Sequence, residues 1–219
     1  MSITQPTPTG APSFIPDEPH QTRMRALDFV VAWTGLLVIA ATGSLARDGL
    51  AAGERAVFEF INSWPDFLYV VIWPFMQYGV FVTIPVLVVV ALIIRRYRLA
   101  VAMAFAGFGV YFIAKWAKHE VERGRPDALL DAVQERESFA TGSIGYPSGH
   151  IAVAAALTMV VTPYLRGRWK LLPAALIVVV AIGRTYVGAH LPLDLVGGAA
   201  LGASAGAFAN LIVGTPERR

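Results

Sequence analysis

Three short stretches of the chain carry residue types suited to handling a phosphoryl group. The first runs from Lys118 to Arg125 and Pro126, the second is Pro147-Ser148-Gly149-His150, and the third holds Arg184, His190 and Asp194. Together they supply three cations, two imidazoles and one carboxylate. Arginine forks fit phosphate oxygens two at a time, and lysine adds a point charge. One imidazole can attack phosphorus while the other protonates the departing oxygen, so the set needs no metal.

Each stretch has a local reading. Pro147-Ser148-Gly149-His150 stands directly before an apolar run, which predicts Ser148 as a helix N-cap. A helix start aims free N–H groups and a positive dipole at whatever lies ahead, and Gly149 lets the backbone approach it closely. As an ordinary cap the motif would leave His150 idle; facing an anion from the first turn, it has a task. Pro192 suits the first position of a helix, which puts Asp194 in the opening turn and His190 just ahead of it. A carboxylate beside one ring nitrogen fixes the tautomer and frees the other nitrogen to attack. Two histidines and an aspartate are also metal-ligand types. Lys118, Arg125 and Arg184 would repel a divalent cation, so no metal and no other cofactor is expected. Arg184 closes an apolar segment, where an unpaired charge costs about 2.5–3.5 kcal/mol on insertion scales. It is expected to meet a substrate anion or a carboxylate, with Glu120, Glu122 and Asp127 as candidates. Pro126 fixes the backbone after Arg125, and Pro126 and Pro147 are both taken as supporting residues.

The elements that must position these groups read as membrane spans. The chain has 219 residues, 56% hydrophobic and 15% charged, and its apolar residues come in uncharged runs. The fold class expected is all-α: a polytopic membrane protein built as a six-transmembrane helix bundle with short interfacial helices. Residues 1–22, rich in Pro, Thr, Ser and Gln, are expected to form a disordered cytoplasmic tail. Residues 23–219 then form a single membrane domain with a catalytic core of about 115–200. Spans are expected at 27–46, within 67–94, and at 97–116, 148–165, 171–184 and 192–213. The first has a faint likeness to a signal peptide, outweighed by the long acidic-bearing tail before it. Residues 50–62 alternate charged and apolar positions as an interfacial helix does. The 67–94 run is too long for one straight span, and Pro74 and Pro85 predict an oblique lead-in before the second span proper. Gly198, Gly202 and Gly206 recur every four residues, a small-residue seam for close helix packing.

Orientation follows from the basic residues. Arg95, Arg96 and Arg98 lie in one loop, Arg166, Arg168 and Lys170 in another, and both termini are basic. The positive-inside rule makes these sites cytoplasmic, so both termini lie inside and all three motif stretches on the extracytoplasmic face of the cell (inner) membrane. A net charge of +3 could suggest nucleic acid. The cations punctuate the ends of apolar runs instead of forming a polar stripe, so no nucleic-acid partner is expected. Cysteine is absent, which removes disulfides, thiolate nucleophiles and Cys-based zinc sites.

Order and spacing of the three stretches resemble the signature of the type 2 phosphatidic acid phosphatase superfamily. That signature is Lys, six residues, Arg-Pro; then Pro-Ser-Gly-His; then Ser-Arg, five residues, His, three residues, Asp. One position departs: Gly183 stands where the family usually has serine, losing a hydrogen bond worth about 0.5–1.5 kcal/mol. The resemblance, which covers Lys118 to Asp194, implies the membrane-bound lipid phosphate phosphatase branch. It implies that His190 forms a phosphohistidine with Asp194 orienting its ring. His150 would protonate the leaving oxygen and then activate water, and Lys118, Arg125, Arg184, Ser148 and the Gly149 backbone would stabilise the phosphoryl oxygens. The partner expected is a lipid phosphate whose tail stays in the bilayer, with polyprenyl diphosphate first. Phosphatidic acid, diacylglycerol diphosphate and phosphatidylglycerophosphate are alternatives, with head-group access governed by 127–145. A lipid phosphotransferase using the same histidine and a non-catalytic lipid-binding or transport protein are the rival classes. The membrane setting is wrong for the family's haloperoxidases.

Overall fold

Inside a bilayer the backbone has no water to bond with, so long uncharged runs become helices. The computed structural model describes residues 22–139 and 143–216. Its order is β1 (Thr22–Arg23), α1 (Ala26–Arg47), α2 (Ala52–Asn62), α3 (Leu68–Met76), α4 (Thr83–Ile93), α5 (Tyr97–Val121), α6 (Pro126–Leu129), α7 (Gly149–Val161), α8 (Leu171–Tyr186), α9 (Pro192–Val213) and β2 (Thr215–Pro216). Short 3₁₀ turns lie at Gln77–Gly79, Thr162–Tyr164 and Gly167–Lys170. The tail expected over 1–22 lies outside the described residues apart from Thr22.

Helix boundaries follow the chemical punctuation. Proline opens α6 and α9, where a missing N–H costs nothing. The α5 helix runs more than a turn beyond the boundary expected at Trp116, which places Lys118 in its last turn; Glu122 closes it in a left-handed conformation. Between α3 and α4 the axis bends by 67°. Pro74 and Pro85 announce a break, but it falls between Gly79 and Thr83. A Cβ on Gly79 would stand 2.5 Å from the His150 carbonyl oxygen, so the bend presses bare backbone onto the first turn of α7.

Among the described residues four helical stretches are long and apolar enough to cross a membrane, α1, α5, α9 and Gly167–Tyr186, or five where the bent α3–α4 pair counts as one span. Gly149–Tyr164 is apolar but shorter. It packs along α5 and α9. Ala152, Leu157 and Tyr164 belong to one buried cluster with Leu99 at the start of α5 and Ala209 near the end of α9. Asn210 donates to the Met159 carbonyl at 3.1 Å, and Arg98 donates to the Val213 carbonyl at 3.2 Å.

Close backbone contact holds the centre together. Cβ atoms on Gly198, Gly202 and Gly206 would lie 2.5, 2.1 and 2.7 Å from the carbonyl oxygens of Ser148, Ala152 and Ala156. The expected seam is therefore the α7–α9 interface, where lipid-solvated helices gain from tight packing and not from apolar burial. On the opposite side of α9, Ser204 donates to the Ala32 carbonyl of α1 at 2.8 Å. At the far end Asp28 is buried between Arg25 (2.6 Å) and Asn210 (3.1 Å). There β1 pairs with β2 antiparallel, Arg23 opposite Thr215.

Gly202→Ala should lower the unfolding midpoint in detergent by an amount equivalent to about 1–3 kcal/mol, the usual cost of overpacking. Gly53→Ala, whose Cβ would meet nothing within 4 Å, should not.

Candidate active site

The C-terminal ends of α5 and α8 and the N-terminal ends of α7 and α9 meet at one level, joined by bonds between the three motif stretches. Lys118 Nζ donates to the carbonyls of Ile144 and Gly145 at 2.8 and 3.0 Å. Arg125 Nη1 donates to the Ala189 carbonyl at 3.0 Å. The Ser148 N–H donates to the Asp194 carbonyl at 2.9 Å. Residues more than 70 positions apart are thereby brought to one place.

His190 occupies the loop between α8 and α9 and is 2% exposed. Its N–H donates to the Arg184 carbonyl at 3.2 Å, and its Nδ1 lies 3.5 Å from Asp194 Oδ2. Asp194, in the first turn of α9, is fully buried. Its Oδ2 accepts from the Leu191 N–H and its Oδ1 from Arg123, each at 3.0 Å. Burial, then the charges of Arg184, Lys118 and Arg125, hold the His190 ring well below the usual imidazole range; a contact with the Gly145 backbone opposes them in part. The ring is therefore neutral at neutral pH, with a lone pair available. An unfolded chain would take up a proton here near pH 6.5 while the native ring resists it. This ring's contribution to stability is thus present above that pH and is lost as pH falls below it.

His150 lies half-buried in the first turn of α7, within reach of the charges on Arg184, Arg125 and Lys118 and of the His190 ring. Ser148 holds the N-cap position, but its hydroxyl makes no capping bond. Sequence pattern identified the residue; its rotamer leaves Oγ buried without a partner. Arg125 Nε and Arg184 Nε are likewise buried and unpartnered. A Cβ on Gly149 would meet nothing within 4 Å, so open space lies ahead of this helix start. Burial and the neighbouring Arg184 charge lower the Arg125 pKa, as expected of two cations brought together. These unpaired donors form a cup suited to an oxyanion. Pro147 follows Tyr146 through a cis bond, and Pro126 is buried at the start of α6.

Several residues at the site went unnoticed in the sequence. Arg123 is buried and bonds Glu54 Oε2 at 2.6 Å as well as Asp194. Burial alone would lower its pKa, but the two carboxylates outweigh that and raise it. Glu54 also accepts from the Leu193 N–H at 2.8 Å. The carboxylate that meets Arg184 is Glu137, at 2.7 Å, in place of Glu120, Glu122 or Asp127. Phe139 lies 4.5 Å from the Arg125 guanidinium and 5.7 Å from that of Arg184. Only Arg123 carried a sequence signal, as a third cation inside the first motif. At Gly183, a Cβ would stand 2.6 Å from Met76 Cγ and 2.9 Å from Ile72 Cγ2. Here α3 packs against the α8 backbone in the space a serine side chain would need. Among the described residues no group of three or more His, Asp or Glu side chains could hold a metal ion.

Arg123→Met should leave the buried Glu54 and Asp194 charges unpaired and cost about 3–5 kcal/mol, read by denaturant unfolding in detergent. Arg123→Lys should recover part of the loss.

Comparison with known proteins places this geometry in context. A model of the PAP2 superfamily matches residues 96–218. Decaprenylphosphoryl-5-phosphoribose phosphatase of Mycobacterium tuberculosis is 31% identical over 126 residues, 57% of this chain and 67% of that protein. The crystal structure of Aquifex aeolicus LpxE superposes with a TM-score of 0.67 at 22% identity, covering 73% of this chain and 95% of that one. The first transmembrane PAP2 type phosphatidylglycerolphosphate phosphatase from Bacillus subtilis gives a TM-score of 0.63 at 19% identity, covering 84% and 94%. With its spanning helices and this match across more than half its length, the chain is an integral membrane protein and belongs to the PAP2 superfamily.

Proposed function

We propose that the protein is a lipid phosphatase that removes a phosphoryl group from a polyprenyl-type lipid through a phosphohistidine on His190. One observation carries the reading: a buried imidazole backed by Asp194 lies at the same helix-end junction as three buried donors without partners, on Arg125, Arg184 and Ser148. In the first step a His190 ring nitrogen attacks phosphorus, the P–O bond to the lipid breaks, and His150 gives its proton to the departing oxygen. In the second, water attacks phosphorus, His150 takes its proton, and inorganic phosphate leaves with His190 restored. Asp194 orients the nucleophilic ring. Lys118, Arg125, Arg184, Ser148 and the Gly149 N–H stabilise the phosphoryl oxygens, and no step uses a metal.

The relatives' names support a lipid substrate. One is named for a decaprenyl lipid bearing a phosphoribose, another for phosphatidylglycerolphosphate. Polyprenyl diphosphate and a polyprenyl-linked sugar phosphate are the two leading candidates; phosphatidic acid, diacylglycerol diphosphate and phosphatidylglycerophosphate stand behind them. A phosphotransferase would use the same first step with a different acceptor.

A single domain over 23–219, with its core at 115–200, crosses the membrane six times in this reading. Pairing of β1 with β2 brings the two ends of the described chain together, which supports an even number of crossings between them. Counting the bent α3–α4 pair once and Gly149–Tyr164 as a crossing gives six. The basic residues Arg95, Arg96, Arg98, Arg166, Arg168 and Lys170 favour a cytoplasmic side for the termini and an extracytoplasmic site on the inner membrane.

His190→Ala protein, folded in detergent, should release no phosphate from polyprenyl substrates, and His150→Asn should be slower by about 10²–10⁴-fold. Wild-type turnover should persist in EDTA and fall with vanadate. Activity in the His190→Ala protein, or its loss in EDTA with recovery on adding a divalent cation, would overturn the scheme.

A further inference from the structure

Glu137 stands beside the cup with its carboxylate on Arg184, at 2.7 Å, and its side chain 23% exposed. Its position is set by the residues around it. Arg136 donates to the carbonyls of Asn62, Tyr186 and Trp64 at 2.9, 2.7 and 2.6 Å, and its guanidinium lies 4.1 Å from the centre of the Tyr186 ring. The Arg136 N–H bonds the Val187 carbonyl at 3.1 Å. Asn62 grips Gln134 twice, accepting from its N–H at 2.9 Å and donating to its carbonyl at 3.0 Å. On the other flank Phe139 covers both guanidinium groups of the cup. A fixed carboxylate therefore borders the phosphate site, while Arg125 Nε, Arg184 Nε and Ser148 Oγ remain buried and unpaired within it.

We infer that Glu137 is a specificity-determining residue that favours a phosphate monoester carried on a hydroxyl-rich head group over a diphosphate. The inference rests on the lipid phosphatase reading. With the reacting phosphoryl group on the three buried donors, the partly exposed Glu137 on Arg184 lies on the side from which a head group would extend toward solvent. A sugar hydroxyl there donates a hydrogen bond to the carboxylate. A second phosphate there would stand against a carboxylate that already takes up part of the Arg184 charge, which is less favourable than a hydroxyl. A site that accepts a hydrogen bond from a substrate hydroxyl also discriminates against a substrate lacking one.

The test compares purified full-length wild type and Glu137→Gln on two lipids with the same polyprenyl tail. One is a polyprenyl-phosphosugar with a terminal phosphate monoester, the other a polyprenyl diphosphate. Wild type should have the higher kcat/KM on the sugar phosphate, and Glu137→Gln should shrink that preference by about tenfold or more, chiefly by gaining on the diphosphate. An unchanged ratio, or a wild-type preference for the diphosphate, overturns the inference while leaving the phosphatase intact. Wild type that turns over neither lipid counts against the phosphatase reading instead. Calorimetry with inorganic phosphate and pyrophosphate then still tests Glu137, because wild type should bind pyrophosphate no more tightly than phosphate. That wild-type measurement also serves if the variant does not fold, and tighter pyrophosphate binding overturns the inference.

Discussion

Asp194 is wholly withdrawn from water, and a buried carboxylate has to be neutralised and fully hydrogen-bonded. Arg123 supplies the opposing charge and Leu191 a backbone donor. Arg123 in turn needs Glu54, which reaches across from α2 and also bonds the Leu193 N–H in the first turn of α9. Even the segment before α7 is bound by this requirement, because a Cβ on Gly145 would press within 3.0 Å of Asp194 Oδ2. One buried negative charge thus fixes how the ends of α2, α5 and α9 meet. Folding these loops and building the site are the same problem.

The frame beneath them depends on small residues. With α7 and α9 in backbone contact at Gly198, Gly202 and Gly206, the central helix is sealed from lipid and its first turn has little freedom. Gly79 adds a second restraint, since the 3₁₀ turn after α3 packs on the His150 backbone. His150 is therefore positioned through its main chain by a neighbouring element, leaving the ring itself to the site. Large apolar side chains such as Leu37, Val70, Ile93 and Phe112 stay exposed on the periphery, as a lipid-facing surface requires.

Much of this architecture was legible in one dimension. The span expected at 192–213 coincides with α9, because a proline start and a glycine end bracket an apolar run whose one charged residue, Asp194, stands in the first turn. The four-residue glycine spacing was a helix-face pattern, and it became a helix interface. Motif residues were readable because each group clusters at a helix end, and counting spans put those ends on one side. Arg123 with Glu54 and Arg184 with Glu137 were not legible. Their partners lie 69 and 47 positions away, and no periodicity in the polar stretch between α5 and α7 marks them. The free hydroxyl of Ser148 depends on a rotamer, and the place of the α3–α4 bend depends on contact between Gly79 and α7. Both are decided by packing.

The two-residue ribbon of β1 and β2 closes the described chain on itself. Its strands lie about 4.8 Å apart, the usual spacing of paired strands. Passenger proteins fused ahead of Thr22 and beyond Pro216 would leave from neighbouring points of a single face. The molecule is thus a natural host for bipartite reporters, whose halves would meet without a long linker.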